Sequence, residues 1–343
     1  MPPWSRPGGI MSRAGGLPRP WQITKPGVME HKLPSPSHPM KIGTRGSPLA
    51  LAQAYETRDR LVAAFDLPET AFEIVIITTT GDRVIDRPLK EIGGKGLFTR
   101  EIEDALLTGD IDLAVHSMKD MPVLQPEGLI IDCYLPREDV RDAFICPTGR
   151  NLSEMAPGTK VGSSSLRRRA QVLVAHPQLE VVEFRGNVQT RLRKLDEGVA
   201  ACTFLAMAGL NRLKRTEVIT RALEPEEMLP AVAQGAIGIE RRRDDSGAAM
   251  MLEAIHHGPT GQRLAAERAF LAALDGSCET PIAGLAELQG GTLRLRGEIL
   301  RPDGSERLCD DRSAPVEDGA ELGRAMAVDL LAQAGPDFFD WRG

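Results

Sequence analysis

IDLAVHSMKDMP, residues 111–122, carries an apolar run straight into a knot of polar and ionisable side chains: His116, Ser117, Lys119 and Asp120. Ile111, Leu113, Ala114 and Val115 have the near-continuous apolar character of a parallel strand buried on both faces. Open α/β sheets meet their ligands beyond the carboxyl ends of such strands, so Lys119 and Asp120 fall where a ligand would be met. Polar residues also follow strands in ordinary solvated turns, and this segment alone does not choose between the two readings.

The surrounding pattern extends the strand into a fold. Ser47 followed by Pro48 gives the N-cap and first position of a helix running to about Phe65, and strand patterns at 72–79, 181–184 and 201–205 alternate with helical stretches. Such alternation predicts an α/β fold, and 343 residues exceed one ordinary core. The last third changes character. A helix near 262–274, a strand at 282–288, the Gly290-Gly291 turn, the alternating strand Thr292 to Leu300, the RPDG turn at 301–304, a further strand and a helix at about 319–333 predict a small α+β domain.

Charge narrows the ligand. With 42 Lys and Arg against 48 Asp and Glu the chain carries a formal −6, so it has no general attraction for nucleic acid or an anionic membrane. Aromatic residues make up 4% of the chain, which leaves little for base stacking. Cations gathered in one place therefore need a local reason. GSSSLRRR, 162–169, offers Ser163, Ser164 and Ser165 as N-caps of a helix whose first turn holds Arg167, Arg168 and Arg169. A helix dipole disfavours positive charge there unless an anion sits against the backbone N–H groups and guanidinium forks. EFRGNVQTRLRKL repeats the device, with Arg185 after a strand and Arg191 on the next helix. GGKG at 93–96 lacks the spacing and hydroxyl of a P-loop, and no GxGxxG opens a helix. Small organic carboxylates are the favoured ligands.

Five cysteines, Cys133, Cys146, Cys202, Cys278 and Cys309, are odd in number and scattered without a CxxC, which indicates neither a disulfide framework nor a zinc site. Cys133, Cys146 and Cys202 sit in apolar settings and Cys309 on a predicted edge strand, whereas Cys278 lies in the small-residue loop LDGSCETPIAG, 274–284, open to chemistry. His256 and His257 stand adjacent on a predicted helix without further ligands, so no metal is assigned. Residues 1–40 hold 9 Pro and 5 Gly with no apolar periodicity and are expected to be a disordered extension or the product of an upstream start. Neither a secretory h-region nor a transmembrane run occurs.

RGSPLALAQA (45–54), TTGD (79–82), GGKGLF (93–98), DLAVHSMKDMP (112–122), REDVRDAF (137–144), GSSSLRRR (162–169), RGNVQTRL (185–192), LAMAGLNRL (205–213), AQGAIGIE (233–240) and GSCETP (276–281) stand in this order. Together they resemble the hydroxymethylbilane synthase, or porphobilinogen deaminase, family over roughly 41–340. Ala200-Ala201 and PIAGLAEL depart from the family pattern without touching the proposed chemistry. The resemblance implies a cytoplasmic, monomeric transferase of tetrapyrrole biosynthesis. It condenses four porphobilinogens head to tail, with loss of ammonia, and hands hydroxymethylbilane on to uroporphyrinogen-III synthase.

The resemblance also implies a dipyrromethane cofactor tied by a thioether to Cys278, with Lys119, Asp120, Ser165, Arg167, Arg168 and Arg191 around it. Arg45, Arg185, Arg212 and Lys95 match positions for substrate carboxylates, which planar guanidinium forks suit well. Asp120 would be catalytic, stabilising positive charge shared with pyrrole nitrogens. The implied architecture is two lobes like those of periplasmic ligand-binding proteins plus a small C-terminal α+β domain. Its parts are the extension 1–40, lobe 1 at 41–135 with 230–253, lobe 2 at 136–229, and a cofactor-anchoring domain at 254–343. A non-catalytic two-lobed receptor for carboxylated ligands would explain the arginines equally well. It would leave Asp120 beside Lys119, together with Cys278, unexplained.

Overall fold

The structure, a computed structural model, describes residues 32–83, 99–274 and 280–342. Lys95, Cys278 and the proline-rich stretch 1–31 lie outside the described residues, and with them the expectations placed on those positions.

Among the described residues the strands are β1 (Met40–Thr44), β2 (Phe72–Ile76), β3 (Leu113–Ser117), β4 (Leu129–Tyr134), β5 (Asp142–Ile145), β6 (Lys160–Gly162), β7 (Glu180–Val182), β8 (Cys202–Ala206), β9 (Arg221–Leu223), β10 (Ile237–Arg242), β11 (Ile282–Gln289), β12 (Thr292–Leu300) and β13 (Arg307–Pro315). They form three sheets, ordered β2-β1-β3-β10-β4, β7-β6-β8-β5-β9 and β11-β12-β13. The first two share one plan. In lobe 1, β1 pairs parallel with β2 and β3, and β10 runs antiparallel between β3 and β4. In lobe 2, β6 pairs parallel with β7 and β8, and β5 runs antiparallel between β8 and β9.

Each antiparallel strand is the one the chain enters on leaving the other lobe. β5 follows β4 through 135–141, and β10 follows β9 through 224–236. The lobes are therefore joined by two crossings.

Helices cover both faces of the lobe sheets, which is why the parallel strands read as continuous apolar runs. Leu113 and Val115 of β3 pack with Ala54 and Leu61 of helix Pro48–Phe65, while the intervening Ala114 packs with Ile102 and Leu106 of helix Arg100–Thr108. That alternation is the period of a strand buried from two sides. Helix Pro48–Phe65 starts where the sequence indicated, with the Ser47 hydroxyl accepting from the Ala50 amide at 3.2 Å.

The third domain is an antiparallel meander under helices Gly258–Ala273 and Gly319–Gln333, with Leu264, Phe270, Leu295, Ile299, Met326 and Leu330 in its core. The helices cross closely at Gly323, where a Cβ would stand 2.3 Å from the Ala266 carbonyl oxygen. A bidentate pair fixes this domain to the crossings. Arg137 reaches the buried Glu267 at 2.6 and 3.1 Å, and Glu267 also accepts from the amides of Ala233 and Ala286.

Several expected bounds shift for identifiable reasons. The strand expected at 181–184 ends at Val182 because the Phe184 amide leaves the ladder for the Ser164 hydroxyl. The helix expected from 262 starts at Gly258, with Pro259 in its first turn. His256 and His257 accordingly precede that helix instead of lying on it. His256 Nδ1 accepts from the Tyr134 amide, and His257 Nδ1 lies 2.8 Å from Thr260 Oγ1. Among the described residues no helix is long and apolar enough to cross a membrane, and no group of three or more His, Cys, Asp or Glu is placed to hold a metal ion.

Candidate active site

β3 delivers the charged turn in a fixed attitude. It passes into the single 3-10 turn Met118–Asp120, where Met118 and the following Met121 are buried, so the residues between them are turned outward. Met118 fits because β10 carries Gly238, where a Cβ would meet its sulfur at 2.1 Å. Asp120 ends up exposed and Lys119 half-buried. Asp120 and Arg45, at the exit of β1, line one open depression, while Lys119, Ser117 and Arg212 line the adjoining one. Between them Gln53 donates from Nε2 to Ser117 Oγ at 2.8 Å.

Lobe 2 supplies the facing cations. Of the three candidate serines, Ser165 is the N-cap of helix Leu166–Ala175, its hydroxyl accepting from the Arg168 amide at 3.4 Å. Arg167 and Arg168 are buried and turn inward upon Asp142, the first residue of β5. Arg168 donates from Nε and Nη2 to Asp142 Oδ1 at 3.2 and 2.7 Å, and Arg167 Nη2 lies 2.8 Å from Oδ2. Burial alone would raise the Asp142 carboxyl, yet the two guanidinium groups hold it well below the usual carboxylate range. Part of the anion that the first-turn arginines require is thus the chain's own. Arg167 Nη1 donates further to the Leu229 carbonyl and Gln171, and Gln234 Nε2 donates to Asp142 Oδ1 and the Val140 carbonyl, so the cluster ties both crossings to lobe 2.

Electrostatic coupling crosses the cleft. Desolvation lowers Lys119 to about 8, with Arg168 and Arg167 adding to the effect and Asp120 and Asp142 opposing it. Arg191, on helix Val188–Asp196, is lowered to about 10 by desolvation first and then by Arg168, while Glu183 and Asp120 pull it back. Arg185 is half-buried and adds to the positive field on Arg191. Arg212, which lines the same depression as Lys119, donates from Nε to Glu56 Oε2 of helix Pro48–Phe65 at 3.2 Å and so bridges the lobes.

Asp120, Lys119 and Arg45 of lobe 1 therefore share one cationic region with Arg167, Arg168, Arg185 and Arg191 of lobe 2, while Arg212 beside Lys119 is paired with Glu56. Cations outnumber the acids facing them, a donor set that fits a group bearing several carboxylates, as a dipyrromethane does. Sequence reasoning missed Asp142 and Glu56. The available signal for Asp142 was a carboxylate opening an otherwise apolar strand, DAFI.

A family model described as "Porphobilinogen deaminase, dipyromethane cofactor binding domain" matches residues 40–250, and "Porphobilinogen deaminase, C-terminal domain" matches 262–332. The chain is 66% identical over 310 residues to a porphobilinogen deaminase of Paracoccus denitrificans, covering 90% of this chain and 99% of that one. It is 55% identical over 306 residues to a chloroplastic porphobilinogen deaminase of Oryza sativa subsp. japonica, covering 88% and 86%. Among solved structures it is similar to the methionine-binding protein MetQ, at 12% identity and a TM-score of 0.38, over 63% of this chain and 89% of that one.

Proposed function

The chain belongs to the porphobilinogen deaminase family and joins porphobilinogen head to tail, with loss of ammonia, into hydroxymethylbilane; we propose that Asp120 and Lys119 carry this chemistry between the lobes. This relationship sets aside the non-catalytic receptor. The observation that carries the proposal is an exposed carboxylate, Asp120, set in a field of cations from both lobes.

The family's dipyrromethane supplies a free pyrrole carbon as nucleophile and stays on the enzyme when product leaves. Cys278 is the proposed anchor. Lys119, Arg168 and Arg191 hold carboxylates, with Arg167 and Ser165 supporting them and Arg45, Arg185, Arg212 and Lys95 meeting those of incoming substrate. Asp120 makes no side-chain hydrogen bond among the described residues, so its oxygens are available to pyrrole N–H groups. There it stabilises positive charge as ammonia departs, and it accepts the ring proton lost at the end of each addition. The partition 41–135 with 230–253, 136–229 and 254–343 is proposed on sheet membership. The unpaired cysteines among the described residues support a reducing, cytoplasmic setting. A monomer handing its linear product to a ring-closing uroporphyrinogen-III synthase completes the reading.

Arg191 tests the carboxylate role with least disturbance, since among the described residues its one side-chain hydrogen bond is from Nε to the Gly186 carbonyl. Arg191→Gln is expected to fold and to hold the carboxylates of the cofactor and growing chain more weakly by about 1.5–3 kcal/mol, the worth of a charged hydrogen bond. Native mass spectrometry of enzyme bearing one, two or three added pyrroles reads the result. An unchanged distribution with unchanged KM would count against the assignment.

Lys119 gives a pH dependence. It sheds its proton through about pH 8, so the KM for porphobilinogen should rise above that pH in the wild type, and this limb should vanish in Lys119→Met. Without ligand, the unfolded chain binds the extra proton between about 8 and the ordinary 10.5, so stability gains from Lys119 as pH rises through that window. A KM profile identical in both proteins would remove Lys119 from the carboxylate site.

A further inference from the structure

We propose that Arg268 is a positioning residue: from the third domain it fixes the backbone just after the Lys119–Asp120 turn, and through it the setting of the Asp120 carboxylate. Arg268 lies on helix Gly258–Ala273 and is half-buried. Its Nη2 donates to the carbonyls of Pro122 at 2.8 Å and Val123 at 2.9 Å, and its Nη1 to that of Met121 at 3.5 Å. These are three successive carbonyls, beginning one residue beyond Asp120. Among the described residues Arg268 forms no ion pair, so a guanidinium whose burial lowers its pKa directs its hydrogen bonds to backbone oxygens, with Tyr134 and Glu240 partly offsetting the burial.

Such a contact differs from the one between Arg137 and Glu267. That pair locks the third domain to the crossings, and it would hold the domain in place without Arg268. Arg268 instead donates its side-chain hydrogen bonds to the segment leaving the turn. Met121 is buried and its amide closes the 3-10 turn on the Met118 carbonyl at 3.3 Å, so the carbonyl end of Met121 is the remaining freedom through which Asp120 could tilt. A planar fork spans neighbouring carbonyls as a lysine point charge does not. The same helix ends five residues before Cys278 in sequence, so one element both leads to the proposed anchor and sets the carboxylate.

The inference rests on the reading of Asp120 as catalytic, and a double-mutant cycle separates the two. Cofactor-loaded Arg268→Gln should retain its KM for porphobilinogen while kcat falls on the order of 10- to 10²-fold, the range for a displaced catalytic group. Arg268→Lys should fall between it and wild type. Adding Arg268→Gln to Asp120→Asn should slow the enzyme little further, because the residue acts through that carboxylate. Hydrogen exchange of unloaded protein should show residues 118–125 losing protection in Arg268→Gln while the crossings keep theirs.

Wild-type kcat and exchange in Arg268→Gln beside a crippled Asp120→Asn would overturn the inference and leave Asp120 catalytic. Fully multiplicative losses in the double variant would also overturn it. A native rate in Asp120→Asn would fail the underlying reading instead. Should Arg268→Gln not fold, Arg268→Lys decides alone: a lowered kcat with unchanged KM supports positioning, and wild-type kcat refutes it.

Discussion

Asp120→Asn, folded and loaded with preformed tetrapyrrole, is expected to add porphobilinogen in a single turnover at least about 10² times more slowly than the wild type. The substitution keeps the side-chain volume and one carbonyl acceptor while removing the negative charge. Losing one positioned electrostatic partner typically costs about 2.7 to 4 kcal/mol in the transition state. Asp120 is exposed, so its replacement should leave the melting temperature close to native. Substrate affinity should change much less, because the proposed site leaves the carboxylates to Lys119 and the arginines. A near-native rate would make Asp120 a turn residue and place the catalytic centre elsewhere. Loading is specified because, on the proposed role of Asp120, assembly of the enzyme's own cofactor would draw on the same carboxylate.

Asp142→Ala is expected to destabilise the protein by about 3–5 kcal/mol, the cost of removing one partner from a buried ion cluster. Asp142 is fully buried, and its loss would leave Arg167 and Arg168, each about 5% exposed or less, facing each other without an anion. Gln234 would lose a bond at the same point, which loosens the crossing into β10. The carboxyl is depressed in the folded state. Its stabilisation is therefore fully present above the ordinary carboxylate range and is lost only as pH falls through the lower folded value. Urea melts at pH 7 and pH 4 test both statements. The difference between wild type and Asp142→Ala should persist at pH 4, and equal midpoints at pH 7 would show that the cluster does not support the fold.

The fold was legible wherever local pattern and burial agree. The apolar run at 111–115, buried on both faces, and the alternation from Thr292 to Leu300 each carry their environment in their own periodicity. The interleaving of β5 and β10 was not legible. Each is an antiparallel strand lent to a sheet by chain returning from the other lobe, a long-range pairing that no local window contains.

The site divides similarly. Lys119 and Asp120 follow their strand as expected, and Ser165 caps its helix as one of three candidates. The direction in which Arg167 and Arg168 turn depends on Asp142, about 25 positions away in sequence, and a first-turn arginine reads the same whether its anion is a ligand or a buried side chain. Arg212 and Glu56 are paired across 156 positions and two lobes, beyond the reach of any spacing argument.

Covalent priming at Cys278 is the claim on which the functional reading turns, and intact mass spectrometry of protein purified from a haem-producing host addresses it directly. The expected mass exceeds that of the chain by two porphobilinogens less two ammonias, with peptide fragmentation placing the addition on Cys278. A chain of unmodified mass, or the same addition on another residue, would contradict it.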